Sequence, residues 1–293
     1  MPTSKLARPH HRASCLSTLL SLGAGLIVLV RCAAVAAPEF FVFDNGLGRG
    51  TWTPEQQART AKTMGFDGVS YNYTKPSDLA VWLETLKGHS LRLYGLYLHA
   101  FIDKPEHYDP AFKEAVRMLK GTDAIIWMTL RETKVKGDHD AEAVKIVRDV
   151  ADQAQASGVR VALYPHAGFY VATALDAVRV ARTAQRPNVG ASLNLCHEFI
   201  TGQGARLDET VQQTAASLML VSVNGVDVAG KQHILRLDQG DFDVAGFLRK
   251  LRAAGYGGPV GLQCYGVKGD VEENLKANMA AWRKIAAQLE APR

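Results

Sequence analysis

Cysteine is scarce in this sequence, with four residues among 293. So low a content excludes the small scaffolds that are held together by several disulfide bonds. Eleven prolines and 26 glycines are also too few for a collagen-like or low-complexity chain. With 47% hydrophobic and 22% charged residues, the composition is that of a globular protein with a buried core, not of a disordered chain.

Acidic residues are absent from residues 1–36, where a basic head precedes a Leu-rich run. The apolar run extends from Ala13 to Val30, and small residues follow at 33–37. This order is typical of a secretory signal peptide. We predict cleavage after Ala36, which leaves one mature domain, residues 37–293, of a periplasmic or secreted protein. The alternative is an uncleaved membrane anchor, since a run of about eighteen residues can barely span a bilayer.

The formal charge of +5 belongs largely to this N-terminal segment. Four basic residues and no acidic ones precede Ala37, so the mature chain has 30 basic and 29 acidic residues. A nearly neutral chain is not expected to bind nucleic acid, which attracts basic surfaces. After cleavage we also expect no stable insertion into a membrane; the oligomeric state is left open. Cys196 and Cys264 remain in the mature chain, and we expect both thiols to stay free because a strand separates them.

Eight β-rich runs alternate with amphipathic helical segments along the mature chain. The runs are Phe40–Asp44, Gly68–Asn72, Leu91–His99, Ala124–Arg131, Arg160–Pro165, Gly190–Leu195, Leu218–Asn224 and Pro259–Cys264. Eight strand–helix units in about 250 residues predict the α/β class and a single-domain (β/α)₈ TIM barrel. The alternative is an open doubly wound sheet. That fold needs a glycine-rich turn leading directly into the first helix, and here the helix begins only at Pro54.

Polar side chains end all eight predicted strands. In a barrel the carboxyl ends of the strands converge on one mouth, where ligand-binding and catalytic residues lie. The candidates are Asp44, His99, Glu132, Tyr164, His166, Asn194, His197, Asn224, Gln263 and Tyr265. Amides, phenols and imidazoles suit a polyhydroxylated ligand because they donate and accept hydrogen bonds. We therefore expect a small-molecule carbohydrate as the partner.

Five short motifs are shared with one known family. They are MGFDGV at 64–69, RPNVG at 186–190, Asn194-x-x-His197, QGDFD at 239–243 and AGYGGPV at 254–260. Through them the mature chain resembles the xylose isomerase-like TIM-barrel superfamily, which includes sugar isomerases, ketose 3-epimerases, inosose dehydratases and endonuclease IV-type repair enzymes. The resemblance implies the barrel fold and a sugar isomerase or epimerase site. It also implies a divalent metal held by four side chains at the mouth.

The chain departs from the family at those four metal ligands. The family has a Glu, an Asp, a His and a Glu at the ends of the fifth to eighth strands. The matching residues here are Tyr164, Asn194, Asn224 and Gln263. Neutral amides and a phenol compete poorly with water for Mg²⁺ or Mn²⁺. No cofactor is therefore predicted, and the usual divalent metal is disfavoured; the alternative is a rearranged metal site of Glu132, His166 and His197.

Two functions fit these residues. The first is an exported sugar isomerase, epimerase or lyase-like enzyme that acts on a free or oxidised sugar without the usual metal site. His166, His197 and Glu132 are its predicted catalytic residues, because imidazoles titrate near neutrality and a carboxylate can accept a proton. The remaining seven candidates are predicted to bind substrate. The alternative is a non-catalytic carbohydrate-binding barrel that has lost the metal chemistry.

Replacing His197 tests the catalytic hypothesis. We expect His197→Ala to abolish turnover and to leave sugar binding nearly intact. The variant lacks the imidazole that would transfer a proton, but it keeps the other residues that bind the sugar. Steady-state rates and binding affinities of the two proteins measure the two effects separately. Unchanged turnover contradicts the assignment.

Overall fold

The structure is a computed structural model that describes residues 36–132 and 137–290. Eight strands in this part of the chain form a closed parallel barrel. Their bounds are Phe40–Phe43 (β1), Gly68–Asn72 (β2), Arg92–Phe101 (β3), Ile125–Arg131 (β4), Arg160–Leu163 (β5), Val189–Asn194 (β6), Leu218–Val223 (β7) and Val260–Leu262 (β10). Around the ring they pair in the order β1-β10-β7-β6-β5-β4-β3-β2. The predicted (β/α)₈ barrel is confirmed.

Helices connect the strands and cover the outside of the barrel. Their bounds are Pro54–Met64 (α1), Pro76–Gly88 (α2), Phe112–Met118 (α3), Asp140–Gln155 (α4), Ala174–Ala184 (α5), Leu195–Ile200 (α6), Leu207–Thr214 (α7), Val244–Ala253 (α8) and Val271–Glu290 (α9). Within the described ranges, none of these helices is both long enough and apolar enough to cross a membrane. All of the predicted signal peptide except Ala36 lies outside the described residues, so it stays a prediction.

Local sequence signals explain where the regular helices begin and end. At the start of α1, Thr53 and Gln56 form a reciprocal capping box, with Pro54 at the first helical position. The same helix ends at Gly65, whose φ of 95° is left-handed and therefore suits glycine. At the start of α5, Thr173 and Asp176 form a second capping box. Both helices have the boundaries that their sequence patterns predict.

Some short elements were not evident from the sequence. Helix α6 follows β6 without a loop, so Leu195, which the sequence places at the end of the sixth strand, begins a helix that also contains Cys196. A small antiparallel hairpin, Gly225–Asp227 (β8) and Gln232–Leu235 (β9), follows β7. Elements of three to six residues are too short for hydrophobic periodicity to identify. Cys196 and Cys264 are both buried and free, as predicted.

An aromatic cluster fills the barrel interior. Trp127 is at its centre, is fully buried, and donates a hydrogen bond from Nε1 to Ser192 Oγ at 2.6 Å. Tyr97 stacks on the indole at a centroid distance of 5.0 Å, and Tyr164 meets it edge-on at 4.8 Å. A Cβ at Gly95 would come within 2.7 Å of Trp127, so glycine at this position makes room for the indole. The indole therefore fills the barrel interior and packs against the rings of both tyrosines.

Truncating this central side chain should strongly destabilise the protein. We expect Trp127→Ala to lower the free energy of unfolding by about 3–5 kcal/mol, because it leaves a large cavity and removes the buried hydrogen bond to Ser192 Oγ. Urea unfolding measures the change. Val81→Ala is the control, since Val81 is 54% exposed and the change should stay within about 0.5 kcal/mol. A loss below about 1 kcal/mol for Trp127→Ala would contradict the central role of this side chain.

Candidate functional site

A cavity of about 300 Å³ opens at the carboxyl ends of the barrel strands. Its volume is at the lower end of the range of about 300–1,000 Å³ that is typical of small-molecule sites. Seven of the ten predicted site residues line it: Asp44, His99, Tyr164, His166, His197, Gln263 and Tyr265. The barrel therefore brings side chains from five different strand ends to one small-molecule-sized space.

Three predicted site residues are not part of this lining: Glu132, Asn194 and Asn224. The Asn194 amide is fully buried, donates from Nδ2 to the Pro165 carbonyl at 2.9 Å and accepts at Oδ1 from Ser222 Oγ at 2.8 Å. Asn224 is also fully buried and donates to the Gly225 and His233 carbonyls, both at 2.7 Å.

These two amides hold backbone carbonyls beside the mouth. Glu132 lies at the end of β4, where its Oε2 is 4.0 Å from His139 Nε2.

His166 and His197 form a pair of imidazoles whose ring centres are 4.1 Å apart. His166 Nδ1 lies 2.8 Å from the Ala167 carbonyl oxygen, which can only accept a hydrogen bond, so Nδ1 carries the proton. The neutral ring then has a free electron pair at Nε2. Phe169 stacks on the other side of the ring at 4.0 Å. Burial lowers the pKa of His166 more than its hydrogen bond to Ala167 raises it, so the neutral, basic form is favoured.

His197 is held in the opposite tautomer. The backbone N–H of Ala167 donates to Nδ1 at 3.4 Å, so the ring proton is on Nε2, which faces Tyr164 Oη at 3.4 Å. Burial, with a smaller effect from His166, lowers the pKa of His197 to about 3. His197 is therefore neutral at physiological pH and acts as a hydrogen-bond donor to the phenol.

Tyr164 lies on the floor of the cavity, and three side chains form hydrogen bonds with its hydroxyl oxygen. They are His197 Nε2 and Gln263 Nε2, both at 3.4 Å, and the Tyr97 hydroxyl. Gln263 is held in this orientation because its Oε1 accepts from Asn45 Nδ2 at 2.8 Å and from the Tyr265 backbone N–H at 2.9 Å. Burial raises the pKa of Tyr164, so the phenol keeps its proton. With donors on the oxygen, its own O–H is available to a ligand in the cavity.

Asp44 is the one carboxylate among the described residues that line the cavity. Its side chain is 2% exposed, accepts from the Asn72 backbone N–H at 3.0 Å and pairs with Arg49 at 3.2 Å. Burial raises the pKa of Asp44, and Arg49 only partly offsets this effect. Asp44 follows β1 and His166 follows β5, and these strands lie opposite each other in the ring. The two groups therefore flank the cavity from opposite sides.

His99 completes the polar wall between them. Its Nε2 faces Asn72 Oδ1 at 3.2 Å and its Nδ1 faces Thr129 Oγ1 at 2.8 Å, so Nε2 donates and Nδ1 accepts. Burial, followed by the charge of Arg131, lowers the pKa of His99 to about 4. The imidazole is therefore neutral at pH 7 and contributes no charge to the cavity.

Several lining residues were missing from the predicted site: Asn45, Arg49, Asn72, Tyr97, Thr129, Phe169 and Ile234. Asn72 and Thr129 lie near the ends of β2 and β4, where the position on the strand could have indicated them. Arg49, Phe169 and Ile234 lie outside the barrel strands, where strand alternation gives no information on which side chains turn toward the mouth.

The residues at the family's four metal positions do not fit a divalent cation. Both polar atoms of Asn194 are engaged within the protein, and Gln263 Oε1 already accepts two hydrogen bonds. Asn224 Oδ1 is buried and has no hydrogen-bond partner among the described residues, but a single neutral oxygen does not make a cation site. Across the described ranges, no three His, Cys, Asp or Glu side chains are arranged to hold a metal, including the rearranged set with Glu132.

Comparison with protein families identifies the fold independently. The family described as xylose isomerase-like TIM barrel matches residues 58–285. The chain belongs to this family. A comparison with curated protein sequences gives no significant match.

Solved structures with the same fold have low sequence identity to this chain. A D-allulose 3-epimerase from Methylomonas sp. is 18% identical, with 86% of this chain and 99% of that chain covered and a TM-score of 0.67. The 3-keto-D-glucoside 4-epimerase YcjR from E. coli is 14% identical, with 84% and 99% covered and a TM-score of 0.65.

A fusion protein of a xylose isomerase-like TIM barrel and 4-hydroxyphenylpyruvate dioxygenase is 18% identical over 84% of this chain, with a TM-score of 0.64. This chain spans 42% of its length. At these identities the likeness shows the fold alone.

The buried imidazoles predict a loss of stability in acid. An unfolded histidine has a pKa of about 6.5, whereas the pKa is about 3 for His197 and about 4 for His99 in the folded protein. As the pH falls from about 6.5 toward 4, His197 and His99 bind protons in the unfolded chain but stay neutral in the folded chain. The free energy of unfolding therefore decreases. Urea unfolding between pH 7.5 and 4.5 measures this slope.

The variant His197→Gln should flatten the profile because it cannot titrate. His89→Gln is the matched control, since His89 lies at the end of α2, away from the cavity lining. Parallel pH profiles for wild type and His197→Gln contradict the prediction.

Proposed function

We propose that this protein is an exported, metal-independent sugar epimerase or isomerase. The observation that carries the proposal is the placement of His166 and Asp44 on opposite sides of one cavity, above the Tyr164 hydroxyl. Epimerisation next to a carbonyl needs a base on one face of the carbon and an acid on the other. It also needs a hydrogen-bond donor at the oxygen where charge develops.

The proposed reaction begins with His166 Nε2 accepting a proton from the carbon beside the sugar carbonyl. The electron pair of that C–H bond forms a C=C bond, and the carbonyl electrons move onto oxygen. The Tyr164 O–H stabilises this enediolate oxygen by a hydrogen bond, in place of the cation used elsewhere in the family. A proton delivered from the Asp44 side then reaches the opposite face of the carbon and inverts it, and the proton on His166 returns to solvent. Return to the neighbouring carbon would give isomerisation instead.

The neutral character of the site supports this assignment of roles. The base must be unprotonated before it reacts, and burial lowers the pKa of His166. Burial also raises the pKa of Asp44, which makes it easier for this carboxylate to take up and deliver a proton. These two shifts bring the pKa values of His166 and Asp44 closer together, which eases proton transfer on both faces of the carbon. The structure thus favours Asp44, rather than Glu132, as the partner of His166.

Two further observations support a sugar as the substrate. The cavity presents imidazole, phenol, amide and hydroxyl groups, which match a ligand with many hydroxyls. The structural relatives named above include enzymes whose names specify D-allulose and a 3-keto-D-glucoside. We therefore propose a carbohydrate with a carbonyl group as the ligand.

Export is proposed from the sequence of residues 1–36. The first residue of the proposed mature chain, Ala37, donates its backbone N–H to Glu290 Oε1 at 3.0 Å. Cleavage before Ala37 would turn this N–H into an ammonium group beside a carboxylate, so the new terminus would have a partner already in place.

Hydrogen exchange with solvent tests the proposed chemistry. D-allulose, D-tagatose and D-fructose are incubated separately with the protein in D₂O, and NMR follows deuterium at each carbon. We expect incorporation at a carbon next to the carbonyl in at least one sugar. His166→Gln should lower the rate by at least about 100-fold and change the affinity for the sugar little, because it removes the base but keeps a polar side chain.

Two controls separate the alternatives. His89→Gln should leave the rate unchanged, and treatment with EDTA should also leave it unchanged. Loss of exchange after EDTA would contradict the metal-independent mechanism. Sugar binding without any deuterium incorporation would instead identify a non-catalytic carbohydrate-binding barrel.

A further inference from the structure

We infer that a second cavity beside the first binds a further sugar ring, so that the protein prefers a glycoside to a free monosaccharide. This inference rests on the proposed function, because it extends the same carbohydrate across two adjoining subsites. The second cavity has a volume of about 740 Å³ and lies beside the ends of β2 and β3. We name it the outer cavity.

His99 joins the two sites, since it lines both the cavity at the barrel mouth and the outer cavity. Its ring is fixed by Asn72 Oδ1 at 3.2 Å and Thr129 Oγ1 at 2.8 Å, and both of these residues line the first cavity. The inferred ligand extends from one subsite to the other past His99. The ring reacting between Asp44 and His166 would extend past His99 through its glycosidic oxygen.

Aromatic side chains form walls of the outer cavity and are held rigidly. Tyr73 donates from Oη to Asp109 Oδ2 at 3.0 Å, and its ring packs edge-on against Phe112 at 5.0 Å. Tyr108 packs edge-on against the same Phe112 and donates from its hydroxyl to Asp149. Tyrosine rings are flat, amphipathic surfaces, and fixing them beforehand lowers the entropic cost of binding. They suit the apolar face of a pyranose ring.

The loop that forms the other side of the outer cavity is also fixed. The Phe101 backbone N–H donates to the His107 carbonyl at 2.7 Å, and His107 Nδ1 donates to the Phe101 carbonyl at 2.8 Å. Within this closed loop, Lys104 Nζ lies 3.4 Å from the centre of the Phe101 ring. The outer cavity is therefore a built feature of the fold, with its edges tied to β3.

The charges around the outer cavity favour a neutral ligand. Lys104 and Glu106 are exposed side chains of opposite sign in its lining, and the Asp109 carboxylate there accepts from Tyr73. A phosphate or carboxylate ligand would need an excess of positive charge, which this lining does not have. Paired donors and acceptors beside aromatic faces instead match the hydroxyls and the C–H face of an uncharged sugar ring.

Paired mono- and disaccharide probes test the inference. Cellobiose, maltose and lactose are compared with glucose and galactose by calorimetry and by saturation-transfer NMR. For at least one disaccharide we expect protein contact at the protons of both rings and an affinity at least about tenfold above that of its monosaccharides, as expected for a few added hydrogen bonds.

The double variant K104A/E106A should weaken binding of that disaccharide about five- to tenfold and leave monosaccharide binding unchanged. The matched control is E84A/K87A, which removes the same two charges from exposed positions on α2. Equal affinities for mono- and disaccharides, with contact to one ring, overturn the outer subsite and leave the proposed function standing. Failure of every sugar to bind overturns both.

Discussion

The packing of Trp127 inside the barrel is the constraint on which the rest of the site depends. Its indole fills the interior, and Gly95 provides the necessary space on the neighbouring strand. Because Tyr97 and Tyr164 rest on this indole, the floor of the cavity is set by the core and not by a loop. Polar residues that lie only a few positions beyond the strands, such as Asp44 and His166, then reach the cavity. The core packing and the shape of the cavity are consequently determined by the same side chains.

A second theme is the replacement of charge by hydrogen bonding. Where the family has carboxylates around a cation, this chain has a phenol, amides and imidazoles that are neutral because they are buried. Without those negative charges the four positions offer only neutral ligands, which compete poorly with water for a divalent cation. The retained His197 has a different task here: its tautomer is fixed by Ala167, and its remaining proton points at Tyr164.

The barrel itself was predictable, because hydrophobic periodicity and strand–helix alternation extend over the whole mature chain. The site was only partly predictable. Strand ends correctly indicate which residues lie near the mouth, but Asn194 and Asn224 use their amides for hydrogen bonds to backbone carbonyls, which no sequence pattern shows. The predicted eight-stranded ring already places β1 opposite β5, but the contacts that turn Asp44 into the cavity, with Asn72 and Arg49, depend on the folded loops. Loop residues such as Arg49 depend on turns that tertiary contacts determine.

The two free cysteines among the described residues determine how the folded chain reacts with oxidants and disulfides. Burial raises the pKa of both Cys196 and Cys264 to about 12, so almost none of either thiol is present as thiolate at neutral pH. Thiolate is the form that attacks disulfides and reacts with oxidants. Neither Cys196 nor Cys264 is therefore expected to form disulfide cross-links while the chain is folded.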